Sequence, residues 1–204
     1  MKERVPGVDS TPWIAQELQH RLSLLTPADT VRGVFINGVL EVARTLGGDA
    51  LAQRCLEVTG EEKFVDFFNY SSAAHLRAIY HTGSWLLDRY GDFDSALWQM
   101  GHVGTHGFFA SPVGKTMRMI SGGNPRRLLQ SLPRAFSVAG ATLVSELRWQ
   151  GPQSAVFTLK RDFIPTAYTE GVMHAVLEQA KVKHIQVHSH QPQPLVSEYT
   201  VDWK

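Results

Sequence analysis

Cysteine is almost missing: Cys55 stands alone in 204 residues. A disulfide framework is therefore excluded, and a reducing compartment is the simpler expectation. An excess of one charge is missing too, with 20 lysines and arginines against 19 acids. That balance gives no basic footprint for nucleic acid and no polybasic membrane signal. No apolar run approaches the ~18 residues of a membrane span. Met1 to Ser10 has mixed charges and glycine and proline breaks but no apolar h-region, so it does not read as a secretory signal. The expectation is a cytoplasmic protein with neither nucleic acid nor membrane as partner.

Catalytic signatures are absent as well. No serine sits in a G-x-S-x-G elbow. Gly122-Gly123-Asn124-Pro125 lacks the lysine and spacing of a phosphate loop. Asp88, Asp92 and Asp94 flank a helix start and read as caps, not as an acid/base couple. Cys55 falls on an apolar helix face and reads as inert core. No enzyme is expected.

What is present is material for a core: 43% of residues are hydrophobic and 10% aromatic, enough to fold without staples. The front half reads as helices. Thr11-Pro12-Trp13 opens the first, and Thr26-Pro27 breaks it. Val31 to Leu46 forms a second, stopped by Gly47-Gly48, and Asp49 caps a third. Phe64 to Tyr70 is a short helix or a turn-rich link. A long helix follows over Ser72 to Tyr90. Another starts at Asp92 and ends near Gly101 or Gly104, the next runs from Phe108 to Ile120, and one from Asn124 stops near Leu132.

After Pro133 the hydrophobic period falls toward 2. Ala141 to Trp149 and Ala155 to Lys160 read as strands around a Gly151-Pro152 turn, and Thr166 to Ala180 as a helix. Val182 to His188 and Val196 to Trp203 close the chain around Gln191-Pro192-Gln193-Pro194. The fold class is α+β: one domain over residues 1–204, with a helical part (11–133) and a sheet-bearing part (134–204) of β-β-α-β-β order and antiparallel pairing.

Three polar groupings stand out. His102 and His106 lie at i, i+4, the spacing of two metal ligands on one helix face. Three glycines surround them and no Glu follows the first, so a structural junction is the plainer reading. His184, His188 and His190 alternate on a strand face, about 7 Å apart per two residues, too wide to share one ion. Arg126-Arg127, with Lys115 and Arg118, reads as a solvated face. No metal is expected.

The stretch Leu128-Leu129-Gln130-Ser131-Leu132-Pro133-Arg134-Ala135-Phe136, followed by Phe157-Thr158-Leu159-Lys160-Arg161, Pro165, Gly171 and Trp203, resembles haem-NO/oxygen-binding (H-NOX) domains. The chain resembles more closely an uncharacterised bacterial family abundant in myxobacteria. That likeness is carried by Pro27 to Phe35, Lys63 to Tyr70, Asn124 to Leu129 and Arg161 to Tyr168. The haem-domain resemblance implies an H-NOX-like fold. It places the iron-ligating histidine at Phe136 and the propionate-holding Tyr-x-Ser-x-Arg at Phe157, Leu159 and Arg161. Only the arginine is kept, so no haem, and no cofactor, is implied.

Two functions follow from that resemblance. One is a sensory or regulatory domain holding a small apolar ligand in a vestigial haem pocket. Phe136, Phe157 and Leu159 would floor it, Trp98, Phe109 and Met117 would wall it, and Arg161, His102 and His106 would stand nearby. Small residues such as Gly101, Gly104 and Gly107 would leave it room. The other is a ligand-free scaffold for a protein partner or a second copy. Fold alone does not choose.

Overall fold

The computed structural model describes residues 12–204. The reading of Met1 to Ser10 and the Thr11 cap lie outside the described residues. The chain divides into two compact units, residues 1–97 and 98–204.

The first unit is helical. Helix α1 (Pro12–Ser23) is followed by strand β1 (Thr30–Arg32), α2 (Gly33–Gly47), α3 (Asp49–Glu57), strand β2 (Asn69–Ser71) and α4 (Ser72–Tyr90). Gly48, at φ 83°, ends α2 in a conformation that L side chains resist. Strands β1 and β2 pair antiparallel, Thr30 with Ser71 and Arg32 with Asn69. The expected link over Phe64 to Tyr70 is turn-rich up to Phe68, and its last two residues join β2. The two front-half stretches that carry the family likeness are thereby brought together. Gly33 N–H donates to the Phe68 carbonyl, and Asn37 reaches the Phe64 carbonyl and Asp66. A Cβ on Gly33 would sit 2.3 Å from the Val65 oxygen, so only glycine allows this approach. Val31, Ile36, Phe64 and Ala74 form the small core beneath.

Helix α5 (Phe93–Ala110) spans the division. Its first turn is capped by Asp92, which accepts from the Ser95 N–H at 2.7 Å and from its hydroxyl at 2.9 Å. The expected stop near Gly101 or Gly104 is corrected: the helix runs through all three glycines to Ala110. Its buried stripe continues from Gly101 to Thr105 and Phe109. Helix α6 is therefore shorter than expected, Pro112–Ser121, capped by Ser111 and ended at Gly122 in the left-handed region.

Helix α7 (Pro125–Ala139) corrects a second expectation, because it continues through Pro133. Proline removes one ladder hydrogen bond at a cost of ~3 kcal/mol. Burial of Leu128, Leu129 and Leu132 on one face, with Phe136 packed beyond, offsets it. The Ser145 hydroxyl also donates to the Pro133 carbonyl.

The sheet contains β3 (Val144–Gly151), β4 (Ser154–Lys160), β5 (Gln186–Gln193) and β6 (Val196–Asp202), all antiparallel in the order β3-β4-β6-β5. Helix α8 (Thr166–Glu178) connects β4 to β5. Strand β5 runs to Gln193, so the turn falls at Pro194-Leu195, with Leu195 at φ 60°. His184, at φ 49°, precedes the strand instead of lying on it. The α+β class with an antiparallel sheet is as expected. The core of this unit joins Phe157, Leu159, Tyr199, Val201 and Trp203 from the sheet to Leu128, Leu129 and Leu132 from α7, Met173 and Val176 from α8, and Phe109 from α5.

Candidate functional site

The residues singled out in the second unit fall into two places. Phe109, Phe157 and Leu159 lie inside the core, and Met117 and Phe136 pack against it half-buried. The Phe136 and Phe157 rings are 5.4 Å apart. Arg161, at φ 58°, follows β4 with its guanidinium over the Phe163 ring. Trp98, His102 and His106 are brought instead to His174 and Glu178, two residues that sequence reasoning missed. The available signal was that His174 and Glu178 repeat on α8 the i, i+4 spacing of His102 and His106 on α5.

The geometry begins with two glycines. A Cβ on Gly101 of α5 would lie 2.0 Å from the Tyr168 carbonyl oxygen, and one on Gly171 of α8 would lie 2.0 Å from that of Trp98. With hydrogen in both places, the two helices cross backbone to backbone. Side chains that follow the two glycines on each helix then meet. His102 Nε2 lies 2.9 Å and His106 Nε2 2.7 Å from Glu178 Oε2. His174 Nδ1 lies 3.3 Å from Glu178 Oε1. It is buried, yet the alignment gives it no hydrogen bond.

A second layer fixes these groups. The Trp98 indole stacks on the His102 ring, with centroids 4.8 Å apart and planes 16° from parallel, and meets the His174 ring edge-on at 5.3 Å. Arg118 reaches Gln179 Oε1 at 3.4 Å. That contact turns the Gln179 amide nitrogen toward the Ala175 carbonyl and His106 Nδ1, each at 3.3 Å. With Nδ1 accepting from Gln179, His106 donates through Nε2 to Glu178.

Charge follows geometry. Burial alone would raise the Glu178 carboxyl, but the His106 hydrogen bond and the neighbouring charges of His102 and His174 hold it below the usual range. Burial lowers His174, only partly countered by Glu178, while His102 and His106 lower it further. An open cleft of about 510 Å³ borders Glu178, lined also by Arg118, Gly123, Gln179 and Lys181.

The other groupings do not converge. His188 and His190 are exposed on β5, opposite Thr200 and Glu198. Arg126 lies over the Trp149 ring at 3.9 Å and donates to the Gly151 and Pro152 carbonyls, away from Arg118. Cys55 in the first unit is buried among Ala78 and Thr82, and burial pushes its thiol up to about 11, which keeps it protonated.

The fold is of the H-NOX class. The chain is similar to an Fe(II) unliganded H-NOX protein from K. algicida, with TM-score 0.64, 10% identity, and coverage of 85% of this chain and 96% of that one. It is similar to an oxygen-binding H-NOX domain related to soluble guanylate cyclases, with TM-score 0.64, 12% identity, and coverage of 85% and 95%. It is also similar to an H-NOX protein from S. oneidensis in the Fe(II)NO state, with TM-score 0.66, 10% identity, and coverage of 85% and 99%. No curated protein matches. The family model described as protein of unknown function, DUF2378, matches residues 24–204, and the chain belongs to that family. Among the described residues no helix is long and apolar enough to cross a membrane.

Proposed function

We propose that this chain is a haem-free regulatory domain of H-NOX fold that works as a signalling scaffold and has no catalytic activity of its own. The observation that carries this is the second unit's core. Phe157 and Leu159, which the haem-domain resemblance sets at propionate-holding positions, are fully buried against Leu128, Leu129 and Tyr199, with the Phe136 ring packed on Phe157. A haem needs an axial donor facing it and polar groups for its propionates. Phe136 offers no lone pair at the position that the resemblance gives the ligand; His102, His106 and His174 gather at Glu178, and His184, His188 and His190 are exposed. The Tyr199 hydroxyl is committed to Asp162 at 3.0 Å. The residues present do not fit haem.

The same packing favours the scaffold over an apolar ligand held beside Phe136 and Phe157. Side chains already supply the contacts that such a ligand would make, and close-packed cores have few voids. The surface fits this reading too: Val113, Met119 and Ile120 of α6 are exposed at 69%, 75% and 72%, an apolar face that a partner could cover. The test is native mass spectrometry of the chain purified from its own cells. The expected spectrum shows the polypeptide without any organic adduct. A stoichiometric small organic molecule would restore the ligand-sensor reading.

A further inference from the structure

We propose that the second unit binds one divalent transition-metal ion, zinc or a close chemical neighbour, through His102, His174 and Glu178, with His106 as the positioning residue for the carboxylate. Two imidazoles and one carboxylate are a borderline-soft donor set that suits Zn²⁺ and Co²⁺ and leaves room for water in the remaining position. One ligand atom from each of the three residues lies within 4.8 Å of the other two. Bonds of ~2.0–2.2 Å in a tetrahedral site set neighbouring ligand atoms ~3.5 Å apart. His102 lies 2.9 Å from Oε2 and His174 3.3 Å from Oε1 of the same carboxylate, so closing one ion among the three groups needs shifts of about 1 Å.

The surroundings are those of a prepared site. The helices cannot drift apart easily, because Gly101 and Gly171 lock their crossing at backbone contact. Trp98 holds the rings of His102 and His174 together. His106 donates to Glu178 and is itself oriented by Gln179. This is the outer-layer hydrogen bonding that aims a ligating group. The three ligand side chains are part-exposed, and the cleft at Glu178 gives an ion its way in.

The competing account is a hydrogen-bonded histidine–carboxylate cluster that needs no ion. His174 separates the two. Its Nδ1 is buried beside Glu178 without a hydrogen bond, so a purely hydrogen-bonded cluster does not need it, whereas a metal site does.

The experiment is a titration of the chelator-treated full chain with Co²⁺ and Zn²⁺, read by the cobalt visible spectrum and by calorimetry. Expected are one ion per chain and the d–d bands of a low-symmetry, four- or five-coordinate cobalt. His174→Ala and Glu178→Gln should each weaken binding by more than the ~100-fold that an outer-layer partner can cost. His106→Ala should weaken it by ~10–100-fold with the stoichiometry kept. A His188→Ala/His190→Ala chain should bind as the parent does, and circular dichroism should show all variants folded, since the altered side chains are not core. The proposal is overturned if the parent chain takes up no cobalt, if folded His174→Ala binds as tightly as the parent, or if the β5 histidines carry the binding.

Discussion

Deleting Glu198–Lys204 is expected to leave the second unit insoluble or molten. Strand β6 is internal in the order β3-β4-β6-β5, so its removal strips the ladder from both β4 and β5. It also removes Tyr199, Val201 and Trp203, all buried in the core. The chain end is tied down further: Trp203 N–H donates to the Gln153 carbonyl, and Lys204 exchanges backbone hydrogen bonds with Lys183. The milder variant Trp203→Ala opens a cavity and should cost ~3–5 kcal/mol. For a chain of this length that lowers the melting temperature by roughly 6–20 °C. A truncated chain that melts like the parent would contradict this placement of β6.

Gly171→Ala and Gly101→Ala should each destabilise the chain and weaken metal binding together. Helix propensity pulls the other way, since alanine in a helix interior is favoured over glycine by roughly 0.5–1 kcal/mol. Each new methyl would have to occupy a point 2.0 Å from a backbone carbonyl oxygen. Backbone cannot swing aside as a flexible side chain does, so α5 and α8 must separate. Overpacking costs ~1–3 kcal/mol in ordinary cores, and this contact belongs at the upper end, so sterics win. The expected fall in melting temperature is roughly 4–12 °C. Separation also carries His102 away from His174 and Glu178. Gly107 is the control, because a Cβ there meets nothing within 4 Å: Gly107→Ala should be neutral or slightly stabilising. Thermal melts of the three variants check the contrast, and a Gly171→Ala chain more stable than its parent would show that the helices do not touch here.

The same glycines mark how far the sequence could be read. Periodicity and caps place α2, α4, α8 and strands β3, β4 and β6 within a few residues of where they lie, whereas β5 starts four residues and ends five residues later than expected. Composition penalises Gly101, Gly104 and Gly107 as helix breakers, yet α5 passes through them. At Gly101 the reason is tertiary, because a neighbouring backbone occupies the space that a side chain would need. Pro133 misleads in the same way, with burial of Leu128, Leu129 and Leu132 outweighing one lost hydrogen bond. Strands β1 and β2 are three residues each and nearly forty apart in sequence, too short to show alternation.

The His102–Glu178 site was half legible. The i, i+4 histidines are visible on α5, but their partners lie on α8, and only the crossing at Gly101 and Gly171 unites them. Phe136, Phe157 and Leu159 were legible as apolar replacements, while their packing into one core required the position of α7 against the sheet.

Hemin reconstitution tests the central claim most directly. The full chain is mixed with one equivalent of hemin, desalted, and its absorption spectrum recorded. With phenylalanine at position 136 and the apolar Phe157 and Leu159 at two propionate-holding positions, the protein should come back free of haem, with no Soret band after desalting. A sharp, stoichiometric Soret band that survives desalting would contradict the account.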